Sequence, residues 1–215
     1  PMMGLGKLYR AEMPGPLKDE RMQPRIAEVA KMLWQIYLSL TILCGLAYWL
    51  AGMTPFDAIS HSFATISIGG FSTHDASIGY FNSTTINYIT VFFLLISSCN
   101  FALHFTLFSQ LKDPKEKRKS TVLQRLYWRD YEFRSFMFIQ IALFLICVIV
   151  LVFHQYFNTT GTTIDQVLFE AVSISTTAGF GVTDFSQWPS FLPTLLILAS
   201  FVGGCAGSTG GGLKV

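Results

Sequence analysis

The sequence predicts an all-α membrane protein made of two copies of one unit: a span, a short re-entrant helix, a glycine turn and a second span. Three observations predict it. The 215 residues are 51% hydrophobic and only 13% charged, against about 25% charged in soluble domains. Lysine and arginine are confined to alternate segments of the chain. Two stretches, "TISIGGFSTHD" at 65–75 and "ISTTAGFGVTDF" at 174–185, interrupt apolar sequence in the same way.

Four apolar runs reach membrane length or begin to. Residues 33–51 carry no charge over 19 positions, about 28 Å as a helix, which matches the hydrocarbon core. The run 86–111 has His104 as its only titratable group, and 135–157 is the most apolar of the four. A fourth run starts at Phe191 and dissolves after Val202 into "GGCAGSTGGG". Six Lys/Arg lie in the lead-in 1–31 and eight in the linker 112–134, while 52–85 and 157–190 hold none. The positive-inside rule therefore makes the basic segments cytoplasmic and the two silent ones external. Orientation alone explains the basic linker, and a nucleic-acid partner is not expected. The four cysteines sit in apolar or Gly-rich runs without CxxC or Cys/His spacing, so they read as small buried hydrophobes. No signal peptide opens the chain, and both ends are expected to continue into a longer protein.

The two external segments are built alike. Each opens with a cap, "TPFD" (Thr54 to Asp57) and "TTID" (Thr162 to Asp165), with Pro55 suited to a first helical position. The helices expected there, 55–66 and 164–175, are too short to span a bilayer. Each is followed by a turn, 67–72 and 176–181, containing Gly70-Phe71 and Gly179-Phe180. An aspartate follows five residues after each of these glycines, Asp75 and Asp184. The caps are offset by 108 residues and the Gly-Phe pairs by 109, a slip of one. The units run from 32 to 111 and from 135 to 215.

A short helix entering from outside must end within the membrane, where irregular backbone survives only when buried in protein or lining a wet cavity. Its C-terminal, negative dipole end faces that cavity. Glycine then permits backbone angles closed to other residues, so successive carbonyls can face one side and replace the water shell of a potassium ion. The plainer alternative is a tight turn between buried helices. Two copies on the cation-free side favour the ion-coordinating reading.

"SISTTAGFG", "TISIGGFS" and above all "GGCAGSTGGGLK" resemble the Trk/Ktr/HKT superfamily of potassium transport proteins, and the resemblance covers essentially the whole chain. It implies M1-P-M2 repeats of a four-repeat, potassium-channel-like fold, of which this chain would hold the middle two, the first and fourth being absent. It implies a filter of backbone carbonyls from Ile68, Gly69, Gly70 and Phe71 and from Thr176, Thr177, Ala178, Gly179 and Phe180. It further implies potassium (K+) as the transported ion with no catalytic cofactor, a bacterial inner-membrane location among lipid, and a homodimer. A cytosolic RCK-type nucleotide-binding regulatory subunit, of the TrkA type, is the implied partner. The contrasting reading is a non-transporting scaffold or receptor with vestigial pore loops. An enzyme would need paired titratable groups within spans, and the spans lack them.

The Gly-rich stretch 203–212 does not read as a P-loop, because Lys214 follows Leu213 and no Ser or Thr comes after it. About a dozen residues precede it, roughly 18 Å of helix, so the break falls at membrane depth and should line the pore. By resemblance it is a gate, formed by Gly203, Gly204, Gly207, Ser208, Thr209, Gly210, Gly211 and Gly212. The matching stretch of the first unit, "SSCN" (Ser97 to Asn100), has no glycine and is expected to stay helical. Asp75 and Asp184 are candidates for an external vestibule that attracts cations; Asp57 and Asp165 read as caps. Glu170 is either functional or a brace for the loop, and His61 reads as a satisfied buried polar group. Trp34, Tyr37, Tyr48, Trp49 and Trp188 fit interfacial belts.

Overall fold

In a computed structural model, residues 26–111, 127–157, 162–189 and 191–215 are described. The lead-in 1–25 and most of the basic linker, 112–126, lie outside the described residues. Helix α1 spans Ile26–Leu50, α2 Pro55–Ile66, α3 Thr84–Ser97 and α4 Phe101–Leu111. The second unit runs α5 Tyr131–Phe153, α6 Ile164–Ser175 and α7 Leu192–Val202. A 3₁₀ turn precedes the second span of each unit, at Ser77–Phe81 and Phe185–Gln187. No strand occurs among the described residues. The segments Ala30–Leu50 and Tyr131–Phe153 are long and apolar enough to cross a membrane, and the bent pair α3–α4 makes a third candidate.

The short helices occupy the residues the sequence predicts, and their starts explain why. Thr54 accepts from Asp57 N–H at 3.1 Å and Pro55 opens α2. In the second unit the cap is Thr163, one residue later than expected: Gln166 Oε1 accepts from Thr163 N–H at 3.0 Å. This correction removes the slip. Thr54 to Thr163, Pro55–Ile66 to Ile164–Ser175, and Gly70 to Gly179 all differ by 109. The third span likewise starts earlier than 135, because Asp130 caps α5 by accepting from Phe133 N–H at 2.8 Å.

The expected straight span 86–111 is the larger correction. It breaks after Ser97 and turns by 90° between α3 and α4. Ser98 N–H still reaches Leu94 O, but the Ser97 and Ser98 carbonyls turn outward to donors in the Gly-rich segment. Asn100 then restarts the helix by accepting from Ala102 N–H at 2.8 Å. Glycine is not required, since a side-chain cap and a partner segment supply what the helix loses.

Helix α2 packs between α1 and α3, while α6 packs against α3, α5 and α7. Trp34 and Trp49 stay on the outer surface, but Tyr48 and Trp188 do not belong to an interfacial belt: both are buried. Tyr48 joins three helices. Thr90 spends its hydroxyl proton on Ile86 O, so Tyr48 OH donates to Thr90 Oγ1 at 2.8 Å and accepts from Thr65 Oγ1 at 2.9 Å. Tyr48→Phe should therefore destabilise the protein by about 1–3 kcal/mol; a thermal unfolding midpoint in detergent equal to wild type would contradict this wiring.

Candidate ion-coordinating loops

Each short helix is followed by a backbone of alternating hand. Ile68 and Gly70 have positive φ (54° and 65°), as do Thr177 and Gly179 (71° and 79°), whereas Ser67 and Thr176 are right-handed and Gly69 and Ala178 are not among the positive-φ residues. Two β-branched residues in the left-handed region are unusual and cost about 1–3 kcal/mol each. The compensation lies in the hydrogen bonds. Thr177 N–H donates to Ile174 O, and Ala178 and Gly179 N–H both donate to Ser173 O, at 2.9–3.1 Å. In the first loop Ile68 N–H donates to Thr65 O and Gly69 N–H to Ala64 O. Because N–H and the preceding carbonyl point to opposite sides of a planar peptide, the carbonyls of Thr176, Thr177 and Ala178, and of Ser67 and Ile68, face away from their helices.

The two loops meet. A Cβ on Gly70 would overlap the Ala178 carbonyl oxygen, so this glycine is needed for close approach as well as for its φ. Gly79 N–H donates to Gly181 O at 3.0 Å and Gly181 N–H to Ser77 Oγ at 3.2 Å. Phe180 is buried (1% exposed) within the first unit's core, while its counterpart Phe71 is 80% exposed.

Beyond the turns the two units use different chemistry. Asp57 accepts from Thr73 Oγ1 at 2.6 Å and Thr54 Oγ1 at 2.7 Å, hydroxyls that hold its carboxyl below the usual range. His61 is buried, bonded to Asp57 O and Ser72 Oγ. At the matching position Glu170 accepts from Val182 and Thr183 N–H. Of the two vestibule candidates, Asp75 is exposed. Asp184 caps the second 3₁₀ turn through Ser186 and Gln187, which keep its carboxyl low.

The Gly-rich segment lies directly under both loops. Thr209 Oγ1 donates to Ile66 O at 2.8 Å, and Gly211 N–H donates to Thr177 Oγ1 at 2.8 Å. A Cβ built on Gly210 would stand 3.1 Å from Thr176 O. Cys205 N–H donates to Ser98 O, Thr209 N–H to Ser97 O, and Phe101 N–H to Gly207 O. Lys214 Nζ donates to Ser208 Oγ and Gly210 O. All four cysteines are free and buried, and no cluster with metal-ligand character occurs among the described residues.

The family described as TrkH, cation transport protein, matches residues 3–215. The chain belongs to the TrkH family. That makes it a member of a family of transport proteins rather than of enzymes. It is 61% identical over its whole length to the Trk system potassium uptake protein TrkH of Vibrio parahaemolyticus, and 58% identical to the one from Escherichia coli K12. The chain spans 43% of the length of each of these relatives. The crystal structure of the potassium transporter TrkH from Vibrio parahaemolyticus superposes with a TM-score of 0.80 at 62% identity, covering 90% of this chain and 39% of that one. In the structure the turns 67–72 and 176–181 approach each other at Gly70 and Ala178, and Thr209 and Gly211 of the Gly-rich segment bond to Ile66 and Thr177.

The sequence reading took Ser97 and Ser98 only as part of a continuing helix and did not single out Ile66, all three of which receive the Gly-rich segment through carbonyls, nor Ser173, which anchors the second loop. The 109-residue offset carries a signal for the first two, since it sets Ser97–Asn100 opposite Ala206–Thr209. Gly70→Ala should prevent correct assembly, because relief of the overlap must separate the loops; recovery of full-length Gly70→Ala as a folded, monodisperse species with wild-type thermal stability would refute the close approach.

Proposed function

We propose that this chain forms part of the pathway of a bacterial inner-membrane potassium uptake protein, contributing two of the loops that coordinate the ion and the gate beneath them. One observation carries the reading. Two backbone loops of alternating hand turn their carbonyls away from their helices toward a shared space, and the Gly-rich segment is hydrogen-bonded across one end of it. Carbonyl oxygens arranged this way substitute for a cation's hydration shell. Ile68 to Phe71 and Thr176 to Phe180 supply the coordinating backbone, and Gly203 to Gly212 closes the path. The relatives' names, each a potassium uptake protein of a Trk system, support potassium as the ion. The remaining loops come from segments homologous to the rest of those longer relatives. The assembly this reading implies is a homodimer that meets a cytosolic RCK-type regulatory subunit on the side of the basic segments.

The Gly-rich segment closes the path by sitting in it. Its contacts to the loops are few and are hydrogen bonds from Thr209 and Gly211, each worth about 0.5–1.5 kcal/mol. Moving residues 207–211 aside also breaks the Thr209–Ser97 and Phe101–Gly207 backbone bonds, while Cys205 stays packed with Cys99 and Phe136. Deleting Gly207 to Gly211 should then raise rubidium flux into liposomes through the full-length protein several-fold and leave selectivity intact; Thr209→Val should do so more weakly. A well-folded deletion mutant with flux at or below wild type would end the gate reading, and a wild type without rubidium flux would end the transport reading.

Orientation has its own check. Cysteine at Ala76, beside the first 3₁₀ turn, should react with an impermeant thiol reagent from outside intact cells. Labelling only after permeabilisation would invert the topology.

A further inference from the structure

We infer that Glu170 is a specificity-setting positioning residue: its carboxylate ties the chain beyond the second loop back to that loop's own helix, and so fixes the spacing of the Thr176–Ala178 carbonyls. The inference rests on the carbonyl-filter reading of the two loops.

Glu170 lies in the middle of α6 and is 1% exposed. A buried carboxylate is costly unless paired or hydrogen-bonded, and the segments 52–85 and 157–190 contain no Lys or Arg to pair with it. What it has is two backbone donors converging on one oxygen: Val182 N–H at 2.7 Å and Thr183 N–H at 2.8 Å from Oε1. Both donors are main-chain N–H groups, so the bonds fix the loop backbone rather than a side chain.

They complete a ladder that climbs one helix. Thr177 is held by Ile174, and Ala178 and Gly179 by Ser173 O. Phe180 O accepts from Ser173 Oγ at 2.7 Å, and Val182 and Thr183 end on Glu170. These rungs all come from α6, with Gly181 between them bonded instead to Ser77 and Gly79 of the first unit, so the carbonyls of Thr176 to Ala178 are set by the span from residue 174 back to residue 170. The first unit has the lower rungs, Ile68 to Thr65 O and Gly69 to Ala64 O, but lacks the upper ones. Ala64 stands where Ser173 is and His61 where Glu170 is, and the outer chain is held through side chains, Ser72 to His61 and Thr73 to Asp57. The second loop is therefore the one whose coordinating backbone is held from both ends by main-chain bonds. Without Glu170 the chain at Val182 and Thr183 loses its tie to α6 and Gly181 is held only from the first unit, through Ser77 and Gly79, so coordination distances that separate potassium from sodium relax first.

The test uses full-length protein in liposomes, comparing potassium with sodium flux. Glu170→Ala removes the acceptor, and Glu170→Asp keeps the charge but withdraws it by one methylene. Both should lower the potassium-to-sodium ratio, by about tenfold for Ala. Glu170→Gln keeps an oxygen that both N–H groups can reach and should stay within about twofold of wild type. Should Ala fail to assemble, Asp carries the test alone. Wild-type selectivity in Asp or Ala would overturn the role of Glu170, as would a Gln variant as unselective as Ala, which would assign the effect to charge. A wild type that passes sodium as readily as potassium would instead overturn the filter reading itself.

Discussion

Backbone polar groups at membrane depth have no water to turn to, and the arrangement depends on how two broken spans satisfy each other. The bend after α3 turns the carbonyls of Ser97 and Ser98 outward; the Gly-rich segment after α7 presents the N–H groups of Thr209 and Cys205 to them and a carbonyl, Gly207 O, to Phe101 N–H. Neither irregularity is tenable alone in an apolar medium. Together they form a cross-linked layer from which Thr209 and Gly211 reach up to the two loops. The lower end of the proposed pathway is thus built from both units at once.

Above that layer the units share a scaffold and differ in chemistry. The short helices, their caps and the alternating turns follow one offset of 109 residues. Shared geometry comes from the last turn of each helix, whose carbonyls capture the loop N–H groups and strain Ile68 and Thr177 into left-handed backbone. The outer attachments diverge, hydroxyl to Asp57 in one unit and main chain to Glu170 in the other. The two units share what turns the carbonyls and differ in what holds the rim.

How much of this was legible beforehand follows from what each feature depends on. The two short helices were readable because a cap, in the first helix a proline, and a short, mostly apolar run act locally. The glycines of the turns were readable because few other residues tolerate the angles. The bend at Ser97 was not, since its cause lies more than a hundred residues away in the segment that bonds its carbonyls. Tyr48 and Trp188 read as interfacial aromatics by composition, yet a buried hydroxyl pair awaits the first and α7 with its 3₁₀ turn covers the second. Thr163 was displaced by Thr162 because two adjacent threonines offer equal caps on paper, and the glutamine three residues on decides between them.

Phe71 and Phe180 carry a consequence for assembly. The second unit inserts Phe180 into the first, which offers its own Phe71 to nothing among the described residues. The contact is not reciprocal: Phe180 packs beside His61 of the first unit, whereas Phe71 stays exposed, so the two units do not meet through a self-matching patch. Head-to-tail contacts either propagate into an open helix or close into a ring. A chain that carries such units in tandem must obey the same rule internally, and a ring has no intrinsic first member. In a tandem chain the order in which such units follow one another is then set by the joints between them.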